Sequence, residues 1–188
     1  MKYKIEAFEN LVNAFQSMPS IGKKSAIKMA YHLVMEDSFA GIKLAHAIEE
    51  GVNSIRACKT CHNMSENELC SICSDEYRDE RTLCIVQSAK DILTIEDSGQ
   101  YKGLYYIVTQ LSDLDEYHLK SATKGKEEVI FAFPPSLATD TMILYIEDKL
   151  YTSNIKFTKI AQGVPTGVEL DNIDILSLSR ALEARVRI

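Results

Sequence analysis

Apolar side chains recur at helical spacing in the first 55 residues, which predicts three helices. The first covers residues 6–17, and its apolar positions are Phe8, Leu11, Val12 and Phe15. The second follows residue 22, and one face of it is formed by Ala26, Ile27, Ala30, Leu33 and Val34. The third runs from about residue 39 to residue 55, with apolar residues Ile42, Ala45, Ile48, Val52 and Ile55. The first break falls at residues 18–22, because Pro19 disfavours helical geometry at Met18 and Gly22 permits unusual φ angles.

After residue 78, short apolar runs alternate with segments of helical pattern. The predicted strands cover residues 83–86, 104–108, 129–133 and 156–161. The predicted helices cover residues 90–95, 138–151 and 173–186. Strands separated by helices indicate a parallel sheet covered by helices, so the chain is predicted to be an α/β protein.

The composition is that of an ordinary globular protein, with 46% hydrophobic and 26% charged residues. No apolar run approaches the roughly 20 residues that cross a bilayer. The first residues are basic but lack the apolar core of a secretory signal. We therefore expect a cytoplasmic protein without a membrane partner, in a compartment that keeps thiols reduced.

Four cysteines form two closely spaced pairs, Cys58 with Cys61 and Cys70 with Cys73. Each C-x2-C pair can turn back so that both sulfurs reach one ion, and two pairs complete a tetrahedral shell. The segment His62–Leu69 between them is polar and cannot build a core, so metal binding would supply its folding energy. The spacing predicts a structural Zn²⁺ ion, because four thiolates leave no position for a reactive water.

Alternatives at these positions stay open. Four unrelated buried cysteines would also fit, although the paired spacing disfavours them. His62 could replace a cysteine as a ligand, but its place inside the loop favours exposure to solvent. Cys84 lies in a predicted apolar strand and is expected to be a small core residue.

The break between the first two helices is a candidate phosphate site. Gly22 would let the backbone approach a ligand, and the following helix start presents free amide groups and a positive dipole end. Lys23, Lys24 and Lys28 add cations, and residues 1–35 have a net charge of +3 within a chain of net charge −6. Contacts of this kind reach phosphates and carry no base-sequence information. The alternative is a plain helical hairpin with solvated lysines.

Four short motifs occur in order along most of the chain. Residues 19–26, PSIGKKSA, with AYHL at 30–33, are similar to the pattern P-G-I-G-x-K-S-A followed by A-F-H-L. The second cysteine pair is followed by Arg78 and Asp79, similar to a C-x2-C pair followed by R-D. KIAQGVPTG at 159–167 is similar to R-I-A-x-G-x-P-x-G, and SRALEAR at 179–185 to R-A-L-x-G-R. Together these motifs resemble those of the RecR recombination-mediator family.

The resemblance implies four parts: a helix-hairpin-helix DNA-binding region at 1–55, a four-cysteine zinc module at 56–78, a Toprim-like domain at 79–165 and a C-terminal tail at 166–188. It implies a DNA clamp without catalytic activity, in which homodimers assemble into a tetrameric ring. Such clamps work with RecO and, in many bacteria, RecF to load RecA onto DNA coated by single-strand-binding protein. By the same resemblance, Lys24 and Lys28 fall where basic residues contact DNA.

The chain departs from the family pattern at several positions. Ser20 stands where the family has Gly, and Gln87 stands where the family has a glutamate after the first Toprim strand. The family's later E-G-E is replaced by Ala-Thr-Asp at residues 138–140, and the segment 110–118 is shortened. A catalytic Toprim site needs clustered carboxylates to hold Mg²⁺, so these changes predict a protein that is not an enzyme.

Three functions are considered for a chain with these sequence features. A DNA-binding recombination mediator agrees with the motifs. A metal-dependent phosphotransfer enzyme would need the missing carboxylates, because Asp91 and Asp140 alone are too few. A protein-interaction scaffold with weak or no DNA binding agrees with the acidic body of the chain and the changed segment at 110–118.

Overall fold

The structure is a computed structural model, and it describes residues 5–151, 154–161, 163–164 and 167–185. The chain divides into two units, Met1–Ile55 and Arg56–Ile188. Lys2 and Lys4 of the basic segment lie outside the described residues, as do three positions of the KIAQGVPTG motif. The predicted four-part division with boundaries at residues 55, 78 and 165 stays a prediction.

Three α-helices make up the first unit. They are α1 (Glu6–Gln16), α2 (Lys23–Tyr31) and α3 (Ser38–Ser54), and a π-helical turn, His32–Glu36, joins α2 to α3. The three predicted helices are therefore confirmed, although the second is interrupted before Leu33. Ala26 and Ala30 are fully buried, and their small side chains let α1 and α2 approach closely around Val12 and Phe15.

Much of the apolar surface of α2 and α3 is exposed. Ile27, predicted on the apolar face of the second helix, is 40% exposed. No side chain of α3 is buried among the described residues. The exposed large apolar residues of α3 are Phe39, Ile42, Leu44, Ile48 and Val52. The apolar periodicity therefore predicted α3 correctly. Among the described residues, none buries the apolar side chains of this helix.

In the turn between α1 and α2, Ser20 has a left-handed backbone conformation, with φ 66°. Gly22 has φ −81° and ψ 163°, an ordinary extended conformation, and a Cβ placed there would meet no atom within 4 Å. The expectation that Gly22 supplies an unusual φ angle is therefore wrong. The strained residue is Ser20, at the position where the RecR pattern has Gly, and left-handed backbone costs an L-residue roughly 1–2 kcal/mol.

A short hairpin and a four-stranded parallel sheet form the centre of the second unit. The hairpin pairs β1 (Arg56–Ala57) with β2 (Met64–Ser65) in antiparallel register. The sheet contains β3 (Asp79–Val86), β4 (Gly103–Ile107), β5 (Glu128–Phe131) and β6 (Lys156–Lys159), in the order β4-β3-β5-β6. All neighbours in this sheet are parallel, as predicted.

A helix follows each strand of this sheet. The helices are α4 (Ala89–Asp97), α5 (Glu116–Thr123), α6 (Leu137–Lys149) and α7 (Ile175–Glu183). Along β3, Leu83 and Ile85 join the larger core with α5 and α6, whereas Cys84 and Val86 join the core that contains Ile92 of α4. This alternation along one strand places the sheet between two helical layers. Within the described part of the chain, no helix is both long enough and apolar enough to cross a membrane.

Helix α5 was not predicted from the sequence, which indicated only a shortened segment there. Its start is fixed by Asp115, whose Oδ1 accepts hydrogen bonds from the amides of Tyr117 (2.9 Å) and His118 (3.1 Å). Only Leu119 and Thr123 of this helix are buried, and Thr123 is polar, so the helix has almost no apolar periodicity. A cap such as Asp115 is the local feature that could have revealed the helix.

Replacing Ser20 with Gly should stabilise the first unit by about 0.5–1 kcal/mol, because relief of left-handed strain exceeds the extra freedom that glycine has in the unfolded chain. Native-state hydrogen exchange of the α1 and α2 amides measures this change. Gly22→Ala is the control and should be nearly neutral, since its backbone is extended and its surroundings are open. The stability gained by removing a flexible glycine from the unfolded chain is offset because alanine is a poorer N-cap residue than glycine. Unchanged or faster exchange in Ser20→Gly would contradict the assignment of strain to Ser20.

Candidate metal centre and nucleic-acid interface

Two turns of the backbone place the four cysteines. Cys58 follows β1, and the amide of His62 donates to the Cys58 carbonyl at 3.0 Å, which closes the first turn around Cys61. In the second turn the amide of Ser74 donates to the Cys70 carbonyl, also at 3.0 Å. Each C-x2-C pair therefore folds back on itself, as the spacing predicted.

The four cysteines converge on one point. Their sulfur atoms all lie within 4.8 Å of one another, and Cys61 Sγ lies 3.5 Å from Cys70 Sγ. Cys58, Cys61 and Cys70 are buried, and Cys73 is half-buried. Sulfurs about 2.3 Å from a tetrahedral zinc lie about 3.8 Å apart, so the cluster has the dimensions that one ion requires. A four-sulfur donor set suits a structural zinc.

The surroundings of the cluster favour a thiolate at Cys58. Burial by itself raises the pKa of this thiol, but the backbone amides near Cys70, Cys61 and Thr60 outweigh burial and lower its pKa to about 7. The pKa of Cys61 is raised, first by its hydrogen bond with Cys73 and then by burial. Burial also raises the pKa of Cys70. Without a cation, the neighbouring sulfurs therefore resist carrying several negative charges at once.

His62 and Cys84, which the sequence analysis also considered as ligands, lie outside this cluster. Cys84 is buried in β3, and burial raises its pKa to about 12, so it is a core residue as expected. His62 is exposed, as expected, and it follows the first cysteine turn with a left-handed backbone (φ 64°). Its ring contacts Tyr106 and His118 instead of the cysteine sulfurs.

Contacts that the sequence did not reveal attach the cysteine module to the sheet. The amide of Ile107 in β4 donates to the Cys61 carbonyl at 3.0 Å, and Ile72 packs into the core on the α4 side. On α5, His118 Nε2 lies 2.8 Å from the Lys59 carbonyl. These partners are distant in sequence, so no local pattern could have found them.

The hairpin residues predicted to bind DNA form an open surface. Gly22 is the N-cap residue of α2, and among the described residues no side chain caps this helix start. Lys23, Lys24 and Lys28 are all exposed. Lys24 and Lys28 are four residues apart on one helix, so they lie on the same face.

A ligand site in an open parallel sheet is expected where the strand order reverses, here between the carboxyl ends of β3 and β5. Gln87 follows β3, and exposed Ala138 lies in the first turn of α6.

The two carboxylates that remain near this edge are Asp91 and Asp140. Asp91 Oδ2 accepts hydrogen bonds from the amide (2.8 Å) and hydroxyl (2.9 Å) of Ser88, so it caps α4. Asp140 is exposed in the first turn of α6, where Ser136 is the cap. The described residues place no carboxylate cluster at this edge.

Comparison with known protein families matches four consecutive segments of the chain. Residues 8–52 match the RecR helix-hairpin-helix, 55–75 the RecR zinc finger domain with four cysteines, 81–161 the Toprim domain and 163–186 the RecR C-terminal region. The Recombination protein RecR of a Nitratiruptor species is 53% identical over 190 residues, which cover 100% of both chains. That of Campylobacter jejuni subsp. jejuni is 46% identical over 186 residues, or 98% of each chain.

A further relative, the Recombination protein RecR of Helicobacter pylori, is 44% identical over 188 residues, 99% of this chain and 97% of that one. The fold and the cysteine cluster define a zinc-binding Toprim-domain protein with an N-terminal helix-hairpin-helix. Because these relatives are 44–53% identical over nearly their full length, the chain belongs to the RecR family of DNA recombination and repair proteins. Its cofactor is Zn²⁺, since the four sulfurs converge within the matched zinc-finger region.

Elemental analysis should find about one zinc per chain, and Cys58→Ser or Cys73→Ser should lose it and destabilise the module. Cys84→Ala is the control, because this thiol is buried in β3 away from the cluster, and it should keep its zinc. Full zinc content with unchanged affinity in both serine variants would refute the four-cysteine site.

Proposed function

We propose that this protein is a non-enzymatic DNA clamp that mediates recombination in DNA repair, acting with RecO and with RecF as a second partner to promote RecA loading. In this proposal Cys58, Cys61, Cys70 and Cys73 hold the zinc ion, which has a structural role. Gly22, Lys23, Lys24 and Lys28 contact DNA phosphates. The observation that carries the DNA contact is the uncapped start of α2 with its three exposed lysines.

The geometry of α2 supports phosphate binding without sequence recognition. The first-turn amides of a helix have no partners within the helix, and they carry the positive end of its dipole. Lys23 and Lys24 occupy that first turn, and Lys28 lies one turn further along. The open space at Gly22 allows a phosphate to come close to the backbone. These groups would read charge and shape rather than bases.

The sheet supports the absence of catalysis. At the switch point, Gln87 is uncharged and Ala138 has no donor atom, while the Asp91 carboxylate is engaged as a cap. Two-metal or one-metal phosphotransfer needs several carboxylates aimed at one ion. Asp140 alone would bind Mg²⁺ weakly, so we propose that this domain serves assembly and partner binding instead of turnover.

Self-association is supported by the exposed apolar residues of α3. Large exposed apolar patches usually mark interaction surfaces. Homodimers that assemble into a tetrameric ring would cover such a surface and bring several copies of the α2 hairpin to one DNA molecule. Avidity would then multiply weak phosphate contacts without any new type of contact.

A protein-interaction scaffold is the second candidate, because the same apolar surface and the net charge of −6 agree with it as well. DNA binding separates the two candidates, since a scaffold would not depend on the lysines of α2.

Lys24→Glu with Lys28→Glu should weaken DNA binding about equally for all sequences and flatten the dependence of log K on log salt by about one unit per lysine. Single- and double-stranded DNA are titrated at several salt concentrations, with and without RecO. The matched control is Lys120→Glu with Lys124→Glu, exposed lysines at the same spacing at α5. This control has the same change in net charge and should bind nearly as the parent protein does.

Equal loss in the α5 control would assign the effect to net charge alone. Binding that the α2 double substitution leaves unchanged at low salt would remove the hairpin from the mechanism and favour the scaffold. Zinc content and circular dichroism should be the same in both variants, since neither pair contacts the cysteines.

No cleavage, relaxation or priming of DNA is expected with Mg²⁺ or Mn²⁺, because the switch point lacks the carboxylates that would hold either ion. The measurement is an assay of supercoiled and single-stranded DNA across several purification steps. An activity that stays with the protein and is abolished by Asp140→Ala would show a working metal site and overturn this part of the proposal.

A further inference from the structure

Three aromatic rings meet where the cysteine module contacts the sheet and α5. His62 Nε2 lies 3.2 Å from His118 Nδ1, and the hydroxyl of Tyr106 lies 2.9 Å from the same His118 nitrogen. The centroids of the two imidazole rings are 4.7 Å apart. Neither the proposed zinc centre nor the proposed DNA contact uses this cluster.

The hydrogen bond with the Lys59 carbonyl sets the tautomer of the neutral His118 ring. Its Nε2 lies 2.8 Å from the Lys59 carbonyl oxygen, which can only accept, so Nε2 carries the proton. In the neutral ring, Nδ1 then has a lone pair that faces His62 and Tyr106. A histidine whose second nitrogen donates to a backbone carbonyl is the usual arrangement of a histidine that ligates a metal.

We propose that His62 Nε2 and His118 Nδ1 form a second, exchangeable site for a divalent transition-metal ion such as Zn²⁺, separate from the four-cysteine centre. Two nitrogens about 2.05 Å from a tetrahedral ion lie about 3.4 Å apart. The observed separation of 3.2 Å is close to that value, so the two nitrogens can share one ion after the rings turn their lone pairs towards it. Because His62 is exposed, water can complete the coordination shell.

The local charge also favours a cation. Asp113 lines the same cavity as His62 and Tyr106. Asp115 is fixed at the start of α5, and its carboxylate acts electrostatically on both His62 and Tyr106. No lysine or arginine lines this cavity among the described residues. Two acidic residues therefore lie near His62.

Binding requires one proton to move within His62. The ring now presents Nε2–H to His118, and on binding the proton moves to Nδ1, so that Nε2 can coordinate the ion. The Tyr106 hydroxyl loses His118 Nδ1 as its acceptor and turns to water in the cavity. The ion would then bridge the cysteine loop and α5, which are 56 residues apart in sequence, and would make their junction more rigid.

The experiment compares zinc content and affinity of the full chain with its cysteine site filled. Dialysis against micromolar free zinc should bring the parent protein from about one to about two zinc ions per chain, one for each site. His62→Asn and His118→Asn should stay at about one. Their second-site affinity should fall by more than about tenfold, since loss of an outer partner alone costs 10- to 100-fold. Asparagine at residue 62 tolerates the left-handed backbone.

The matched control is His46→Asn, an exposed histidine of α3, which should still bind the second ion. In the parent protein, NMR signals of the His62 and His118 rings should shift together as the second ion binds. The proposal is overturned if the parent chain never exceeds one zinc, or if both variants take up the second ion as the parent does. Neither result bears on DNA binding, which is measured separately.

Discussion

Four thiol groups held within 4.8 Å of one another are the constraint on which the second unit depends. The module that carries them has no apolar core beyond the cysteines and Ile72. Because apolar burial in this module is small, a cation bound by all four sulfurs supplies much of the energy that holds the two turns closed. The turn that results offers the Cys61 carbonyl to Ile107, so this loop also pairs one outward-facing amide at the end of edge strand β4.

Where the chain leaves this module, an ion pair fixes the start of the sheet. Arg78, whose side chain is 11% exposed, pairs with Glu96 of α4, and the Tyr105 hydroxyl donates to the same carboxylate at 2.6 Å. The Arg78 guanidinium lowers the pKa of Glu96. The pair therefore stabilises the fold above the pKa of an unfolded glutamate, and this contribution is lost as the pH falls through the lowered value. The R-D motif after the cysteines thus has a local structural role.

The sequence predicted the parts of the structure that are encoded locally. Helical periodicity indicated α1, α2 and α3, and apolar runs indicated the four parallel strands, because each signal spans several residues of one element. The paired spacing of Cys58 and Cys61 indicated the cluster for the same reason. Helix α5 has only two buried residues, and the pairing of His118 with Lys59 and His62 joins distant segments, so neither left a periodic pattern. The left-handed turn was assigned to Gly22 because glycine is the usual residue there, whereas Ser20 occupies that conformation.

The positions of the charged and metal-binding side chains support the proposal that this protein binds DNA and does not catalyse a reaction. In an open parallel sheet, catalysis concentrates at the switch point, where loops from several strands can aim charges at one ligand. Here that point has Gln87 and Ala138, while the three lysines predicted to contact DNA lie on α2 and the four sulfur donors lie in the cysteine module. The described residues place no cluster of carboxylates at the switch point, where a phosphotransfer site would need one. In the proposed function, a ring of identical chains would repeat the weak phosphate contacts and so raise the affinity for DNA.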